Sequence, residues 1–305
     1  MGGPPPHEAR TKSREDARMM PAPIATAAAL RRRLTARPWA DARHFQIAAL
    51  ASLLAFNFAC LDFGARPLNS ALAIASALAA QALCSWAWRL GTIDLRSPLI
   101  TGLSLSLLLR ADEPWIHVAA GAVAILSKFV LRLEGKHIWN PAGLAIVALL
   151  LCVPGHVWIS PGQWGASVWF AALVAGLAFV VLNAARRADI ALWFLAAHAI
   201  LLLARAAWLG DPPAIPLHQL QSGSLLIFAF FMISDPRTTP DSRLGRLMFG
   251  VAVALLAHWL AFFWQMRPAL YVALIALSPL TLLFDRIFPA ERFAWTAPAH
   301  PGAAR

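Results

Sequence analysis

Charged side chains are scarce in this sequence. Asp, Glu, Lys and Arg together make up 13% of its 305 residues, whereas 59% are hydrophobic and the mean hydropathy is +0.62. A soluble domain usually carries about 25% charged residues. Too few charges remain to cover a water-facing surface, so the composition excludes an ordinary soluble globular protein and predicts a polytopic membrane protein.

Cysteine is sparse too, and so are motifs that carry chemistry. Cys60, Cys84 and Cys152 are scattered through apolar runs, without a C-x-x-C pair or a histidine at metal-ligand spacing, and are interpreted as small buried hydrophobic residues. The sequence also lacks a P-loop, a G-x-G-x-x-G before a helix, a nucleophile elbow and a zinc motif. It therefore identifies no catalytic residue and no metal site, and the chain alone is not expected to bind NADH or ATP.

Positive charge exceeds negative charge, with a formal net charge of +11. The basic residues lie between apolar runs rather than beside aromatics on one face, so no nucleic-acid partner is expected. With the N-terminus inside, the outer loops would carry only Arg66, Arg110 and Arg267, and the remaining loops and both tails would carry many basic residues. This asymmetry predicts a multi-pass protein with both termini cytoplasmic.

Ten apolar segments are candidates for membrane helices, each of which needs about 20 apolar residues. The third, fifth and eighth are short or broken, and Pro or Gly marks the joins. The segments are 45–61, 68–90, 97–109, 114–131, 139–153, 164–182, 189–209, 217–233, 243–263 and 268–288. Residues 1–44 are predicted to form a disordered basic cytoplasmic tail, and residues 289–305 a second cytoplasmic tail.

Two of the short segments resemble each other. RSPLITGLSLSLLLRADEPW (96–115) and QSGSLLIFAFFMISDPRTTP (221–240) each begin near a Ser followed by Pro or Gly, continue through an apolar run and then reach Asp and Pro. They lie five segments apart, so they would run in opposite directions, as in an inverted repeat whose broken helices converge near the membrane midplane. The chain is therefore predicted to be all-α, with inverted five-helix repeats over residues 45–153 and 164–288.

Three longer stretches resemble the RnfD/NqrB family of ten-span membrane subunits. They are SPLITGLSLSLLL, PWIHVAAGAVAILSKFVLRLEGKHIWNPAGLAIVALLL and SGSLLIFAFFMISDPRTTPDSRLGRLMFG, in which Asn140-Pro141-Ala142 and Asp235-Pro236 are the most specific pieces. The match covers nearly all of the chain after residue 45, in the same order. The resemblance implies a urea-transporter-like fold in a bacterial inner membrane, within an Rnf or sodium-pumping NADH:quinone oxidoreductase complex.

The resemblance also implies flavin. Members of the family carry FMN esterified to a Thr in an S-x-A-T motif between the fifth and sixth spans, and they are associated with a non-covalent riboflavin. Here that connection is PGHVWISPGQWG, residues 154–165, which has neither S-x-A-T nor any Thr. Covalent FMN is therefore not expected. The chain is interpreted as a shortened member that holds riboflavin or FMN non-covalently.

A haem is not expected. A b-type haem needs two histidines on facing helices at one depth. His117 and His258 would both lie near the outer face and His198 nearer the middle, and buried or interfacial histidines are the commoner case.

Two of the candidate cofactor-binding residues open a half helix. Asn140 would cap the helix and Pro141 would occupy its first turn. One interpretation is a helix cap alone, and the other is a helix N-terminus that faces an electron-rich group such as a flavin carbonyl. The full set of candidates is Asn140, Pro141, Ser97, Thr101, Lys128, Ser222 and Asp235.

The other candidates also have two interpretations. Ser97, Thr101 and Ser222 are small polar residues in broken helices, where they either bond the backbone or contact a ligand. Lys128 either extends its ammonium group to the membrane interface or, as the resemblance implies, faces a cofactor. Asp235 either closes a cytoplasmic turn through an ion pair with a nearby Arg243 or Arg246, or belongs to a quinone, proton or partner-subunit site.

Two functions follow from these observations. The first is a membrane-integral electron-transfer subunit that holds a non-covalent flavin and works with other redox subunits, which carry flavin or Fe–S centres, and with quinone. Ion transport would need those other subunits. The alternative is a small-solute transporter or channel on the same scaffold, which the shortened flavin connection favours.

Overall fold

The computed structural model describes residues 41–60, 66–133, 136–160, 176 and 187–293. Its helices are α1 (Ala42–Cys60), α2 (Pro67–Ala87), α3 (Arg96–Leu108), α4 (Pro114–Val130), α5 (Pro141–Cys152), α6 (Ala188–Leu209), α7 (Ala214–Leu220), α8 (Gly223–Ile227), α9 (Arg243–Phe263), α10 (Ala269–Leu277) and α11 (Leu280–Ile287). A π-helical turn, Phe228–Met232, continues α8.

Two short antiparallel ribbons join the helices. Strand β1 (Leu109–Ala111) pairs with β4 (Val157–Ile159), and β2 (Arg132–Leu133) pairs with β3 (Lys136–His137). The first ribbon holds the beginning of the shortened 154–165 connection against the end of α3. The rest of that connection lies outside the described residues.

Among the described residues, helices α2, α6 and α9 are each long and apolar enough to cross a membrane, and the number rises to five if two bent pairs each count as one span. The pairs are α7 with α8 and its π turn, bent by 47°, and α10 with α11, bent by 50°. Large apolar side chains such as Trp86 (80% exposed) and Trp208 (86%) face outward from these helices. Such an apolar exterior is the surface that lipid covers.

Helices occupy nine of the ten predicted segments, and the sixth, 164–182, lies outside the described residues apart from residue 176. The predicted break in the eighth segment is present between α7 and α8. Of the two predicted tails, residues 1–40 and 294–305 lie outside the described residues. Helix α1 already begins at Ala42, within the predicted tail, and Arg43 is buried at its start.

The sequence determines several helix starts directly. Pro67, Pro114 and Pro141 each occupy the first turn of a helix, where the missing N–H removes no intrahelical hydrogen bond. Asn140 and Ser242 cap α5 and α9 by accepting the third amide of each helix.

The two halves pack in the same pattern. Helix α2 lies along α4 in the first half, and α6 lies along α9 in the second. Each pair has a glycine at its crossing. A Cβ at Gly121 would lie 2.7 Å from the Ala73 carbonyl oxygen, and a Cβ at Gly250 would lie 3.4 Å from the Ile190 carbonyl oxygen. Small residues let helix backbones approach closely, which is how apolar helices associate within lipid.

These distances predict a graded response to Ala substitution. Gly121→Ala should lower the free energy of unfolding by about 1–3 kcal/mol, because the new methyl group meets backbone that cannot move aside. Gly250→Ala should have a small effect, because its contacts are close to ordinary van der Waals distances. Gly91→Ala is the control, since no atom lies within 4 Å of a Cβ there. Thermal unfolding in mild detergent measures all three, and equal losses for Gly121→Ala and Gly91→Ala would contradict the close crossing.

Candidate functional site

A polar cavity of about 230 Å³ lies where α3, α4, α5 and the π turn end or begin. We call it the Lys128 cavity. Six of the seven predicted site residues line it, although they come from four separate stretches of the chain. These six are Ser97, Thr101, Lys128, Asn140, Pro141 and Asp235. The seventh, Ser222, lines a different cavity of about 470 Å³ together with His198 and His218.

Asn140 links two elements of the Lys128 cavity. Its Oδ1 accepts the backbone N–H of Gly143 at 3.0 Å, which is the predicted helix cap. Its Nδ2 donates to Asp235 Oδ2 at 3.4 Å, across to the turn that follows the π helix. Asn140 is therefore both the cap of α5 and part of the cavity wall. The N-terminus of α5, with its partial positive charge, is part of the cavity wall.

Lys128 faces the cavity rather than the membrane interface. The residue is only 6% exposed, and Nζ donates to Ser97 Oγ at 2.6 Å. Within the part of the chain that the structure describes, no carboxylate forms an ion pair with this ammonium group. Thr101 uses its hydroxyl to bond the Ser97 carbonyl at 3.0 Å, so it supports the helix that carries the partner of Lys128. A buried cation with one neutral partner is costly unless a further group compensates it.

Asp235 has different partners from those predicted. Arg246 is bound to Asp189 instead, and Arg243 also approaches Asp189, so the predicted ion pair with Asp235 is wrong. The Asp235 carboxylate accepts the backbone N–H of Arg237 at 3.0 Å and the Asn140 amide. Enclosure by protein raises the pKa of this carboxyl, although Arg237 and Lys128 act in the opposite direction.

More cationic than anionic side chains line the Lys128 cavity. The cations are Arg43, Lys128, Arg132 and Arg237, and the anions are Asp94 and Asp235. Arg43 is engaged by the neighbouring acids: its Nη2 lies 2.6 Å from Asp41 Oδ2 and its Nη1 lies 2.5 Å from Asp94 Oδ2. Among the described residues that line the cavity, positive side chains therefore outnumber negative ones.

The protonation states of two wall residues leave this charge count unchanged. Partial burial would raise the pKa of Asp94, but its bonds with Arg96 and Arg43 outweigh this and lower it to about 2, so Asp94 stays ionised. Burial, followed by the nearby charges of Lys128, Arg132 and Arg237, lowers the pKa of His137 to about 3, so its ring is neutral.

Aromatic rings form the apolar part of the cavity wall. Phe129 comes from α4, and Phe230 and Phe231 come from the π turn. In that turn the amide of Ile233 bonds the Phe228 carbonyl, five residues back. Such turns are frequent at functional sites, because the extra residue changes the direction of the side chains around it. Aromatic faces and cationic donors that line one cavity suit a flat, electron-rich ring that carries carbonyl groups.

Sequence reasoning missed several residues of this wall. Arg43 lies within the predicted tail, and Asp94 and His137 lie in short connections between predicted spans. Their local sequence carries no motif, and only the folded bundle brings them to the cavity. The signal that was available is charge, because each is an ionisable residue at the end of an apolar segment.

A second charged cluster holds the same end of the bundle together. Arg246 is bound side-on to Asp189, with Nη2 2.7 Å from Oδ2 and Nε 3.0 Å from Oδ1. Lys136, from the ribbon before α5, lies 2.9 Å from Asp241 and 2.7 Å from Asp285. These bonds connect the starts of α6 and α9 with the ribbon and the end of α11.

The Asp189 carboxylate provides a matched pair of substitutions. Arg246→Met should lower the free energy of unfolding by about 2–4 kcal/mol, because it leaves a carboxylate that is only 17% exposed without its main partner. Arg243→Met removes an arginine that is 85% exposed and 3.9 Å from the same carboxylate, and should change the free energy by less than about 1 kcal/mol. Thermal unfolding of the two purified variants tests this, and similar losses would contradict the central role of Arg246.

The sequence profile of the NQR2, RnfD, RnfE family matches residues 158–294. A Stutzerimonas stutzeri protein, named as a subunit of an ion-translocating oxidoreductase complex, is 26% identical over 75% of this chain and 85% of the relative. The Halorhodospira halophila protein of the same name is 24% identical, over 77% and 80%. A Shigella flexneri protein of that name is 38% identical over a shorter stretch, 32% of this chain and 26% of the relative.

Proposed function

We propose that this chain, which belongs to the NQR2, RnfD, RnfE family, is a membrane subunit of an ion-translocating oxidoreductase complex and holds a non-covalent flavin in the Lys128 cavity. The comparisons confirm the family resemblance that the sequence motifs predicted. The observation that carries the flavin proposal is the convergence of six separately predicted residues on one cavity. They surround the buried Lys128 ammonium group, which forms no ion pair with any carboxylate among the described residues.

The residues of the Lys128 cavity fit the chemistry of a flavin. Lys128 and the N-terminus of α5 would face the electron-rich carbonyl edge of the ring, while Phe129, Phe230 and Phe231 would contact its apolar faces. A flavin supplies the chemistry of accepting and passing electrons, and the chain supplies position and electrostatic environment. Positive charge beside the carbonyl edge would stabilise the more electron-rich form.

The cavity volume bears on which flavin binds. Its 230 Å³ lies below the roughly 300–1,000 Å³ of sites that enclose a complete drug-sized ligand. Riboflavin therefore fits better than a larger flavin nucleotide, with its ring enclosed and the remainder at the open side lined by Arg132 and Arg237. The absence of an S-x-A-T motif agrees with non-covalent attachment.

The proposal includes the arrangement of the chain in the complex. The chain has ten spans in two inverted repeats, in a bacterial inner membrane with both termini cytoplasmic. The paired packing of α2 with α4 and of α6 with α9 supports the two repeats, and the distribution of basic residues supports the orientation. Other subunits carrying flavin or Fe–S centres, and a quinone pool, would supply and remove electrons. The relatives described above are named as subunits of an oxidoreductase complex.

A small-solute transporter on the same scaffold is the second candidate. The observation that favours it is the bent pair of α7 with α8 and its π turn, which ends at the polar cavity as half helices do in transporters. The two candidates differ in one observable. An electron-transfer subunit retains a coloured cofactor, whereas a solute pathway requires none.

The flavin proposal predicts a yellow protein when the chain is purified in mild detergent with riboflavin and FMN present throughout. Acid precipitation should release the flavin to the supernatant, because no covalent attachment is expected. Absorption spectra of the supernatant and pellet measure this. A colourless protein would overturn the flavin proposal and favour solute transport, and a Soret band would instead show haem.

Lys128→Met separates binding from folding. It should weaken riboflavin binding at least tenfold, because the cationic partner is lost, while the protein stays equally stable or becomes more stable once the buried charge is removed. Arg243→Met is the matched control, because it also removes a positive charge near this end of the bundle but lies outside the cavity. Unchanged riboflavin affinity in Lys128→Met would place the flavin elsewhere.

A further inference from the structure

The cavity of about 470 Å³ that Ser222 lines is a second space in the bundle, and we call it the Ser222 cavity. Ser222 precedes α8, whereas Asp235 of the Lys128 cavity follows the π turn at the other end of the same helical segment. The residues that line the Ser222 cavity all belong to the stretch 187–293, which the structure describes without a gap. The proposed flavin site uses none of them, so the two sites can be tested separately.

Corresponding elements of the two halves form the two cavities. Each cavity is bounded by the start of a broken helix, the end of the long helix that follows it and the start of the next short helix. Ala257 follows the crossing glycine Gly250 by as many residues as Lys128 follows Gly121, and both line their cavities. The Ser222 cavity therefore lacks the buried cation of the Lys128 cavity, and its ligand is expected to differ.

The cation of the Ser222 cavity lies at its mouth. Arg267, just before α10, lines the cavity and is exposed, and no carboxylate among the described residues forms an ion pair with it. No Asp or Glu lines the cavity within the described part of the chain. Residues 154–185, most of which lie outside that part, contain no Asp or Glu in their sequence. The charge at the mouth is therefore positive and suits an anionic group.

The inner lining of the Ser222 cavity is mostly aliphatic. Phe262 is the one Phe, Tyr or Trp among its described lining residues, and this ring is already engaged. The Arg205 guanidinium lies 4.0 Å from the ring centroid, and the His258 ring packs against it at 4.6 Å. A flat ring would find little aromatic surface here, whereas a flexible apolar chain suits the remaining lining, which includes Leu202, Leu225, Ala257, Ala261 and Leu270.

Exposed tryptophans indicate the depth of the mouth. Trp264, close to Arg267 in the sequence, is 64% exposed, and Trp208 near the end of α6 is 86% exposed. Tryptophan is enriched where a membrane meets water, at the level of the lipid headgroups. The mouth of the Ser222 cavity is therefore placed at headgroup depth, with the aliphatic lining towards the acyl chains.

The end of α9 also suits an anion at this mouth. Gln265 has a left-handed φ of 53°, a conformation that glycine adopts with less strain at a helix end. Its side chain nevertheless has a use there, because Nε2 donates to the Phe262 carbonyl at 2.9 Å. The amide of Met266 donates to the Leu260 carbonyl at 3.1 Å. Two carbonyl oxygens that would repel an anion are thus bonded.

From these observations we propose that the Ser222 cavity binds one anionic membrane lipid, with an acyl chain against the aliphatic lining and the headgroup phosphate at Arg267. An arginine guanidinium matches phosphate oxygens in both geometry and charge. The lipid would fill the space between the bent pair of α7 with α8 and the neighbouring helices α9 and α10. It would therefore stabilise the bend, independently of any flavin in the Lys128 cavity.

The test uses the full chain in lipid-free mild detergent, with thermal unfolding as the readout. Phosphatidylglycerol is added over a concentration range, and phosphatidylcholine with identical acyl chains is the control for the headgroup. Phosphatidylglycerol should raise Tm at concentrations at least tenfold lower than phosphatidylcholine, because a ligand that binds only the folded state stabilises it. Native mass spectrometry should count one retained phosphatidylglycerol.

Two variants decide the location. Arg267→Gln should raise the concentration of phosphatidylglycerol that is needed at least tenfold and leave the response to phosphatidylcholine unchanged. Ala261→Phe should weaken the response to both lipids, because the larger side chain occupies the space of the acyl chain. Arg66→Gln is the matched control, because it changes another exposed arginine of the predicted outer loops that does not line the Ser222 cavity. Ala261→Phe decides alone should Arg267→Gln fail to fold.

Riboflavin separates this proposal from the flavin proposal. An excess of riboflavin should leave the response to phosphatidylglycerol unchanged, whether or not the Lys128 cavity binds it. Displacement of the lipid by riboflavin would show that the Ser222 cavity takes a flat ring, and would overturn the lipid proposal. Equal responses to the two lipids, or variants that respond as the unaltered chain does, would overturn it too.

Discussion

Helices that end inside an apolar bundle leave backbone and side-chain polar groups that water cannot reach, and this constraint organises the molecule. In lipid, irregular backbone is tolerated only where protein or a polar cavity satisfies it. The starts of α3 and α5 and the end of the π turn all meet at the Lys128 cavity. Asn140 satisfies polar groups at two of these helix ends. Its side-chain oxygen caps α5, and its side-chain nitrogen donates to Asp235 after the π turn.

The same constraint explains the ion pairs at this end of the bundle. Asp189 with Arg246 and Lys136 with Asp241 and Asp285 neutralise charges that the fold has enclosed. These pairs are complete, with short contacts and opposite charges, and they connect segments from both halves of the chain. Lys128 differs from them, because it is as buried as Arg246 but is bound by a neutral hydroxyl.

Much of the helical architecture could be predicted from the sequence, because long apolar runs and proline positions are local signals. Asn140-Pro141 predicted a capped helix start, and the structure confirms the cap. Site membership was predicted where a polar residue interrupts an apolar run, as at Lys128. The sequence could not show that Asp189 is the partner of Arg246, because 57 residues separate them and only tertiary packing brings them together. Ser222 lies in a different cavity for a related reason. It precedes α8, whereas Asp235 follows the π turn at the opposite end of the same helical segment.

The contrast between Lys128 and the complete ion pairs bears on which function the scaffold serves. If Lys128 served folding alone, a carboxylate partner would make the folded state more stable. Replacement by an apolar residue of similar length would do the same. An ionisable residue within a predicted span is therefore a functional indication by default.

A cation that faces a cavity is suited to an electron-rich carbonyl ring, whereas a neutral-solute pathway would be obstructed by it. Phe129, Phe230 and Phe231 around that cation favour the same choice, because a flat ring can contact aromatic faces while its polar edge reaches the ammonium group. The electrostatics of the Lys128 cavity thus favour a bound flavin over a solute channel, although both would use the same broken helices.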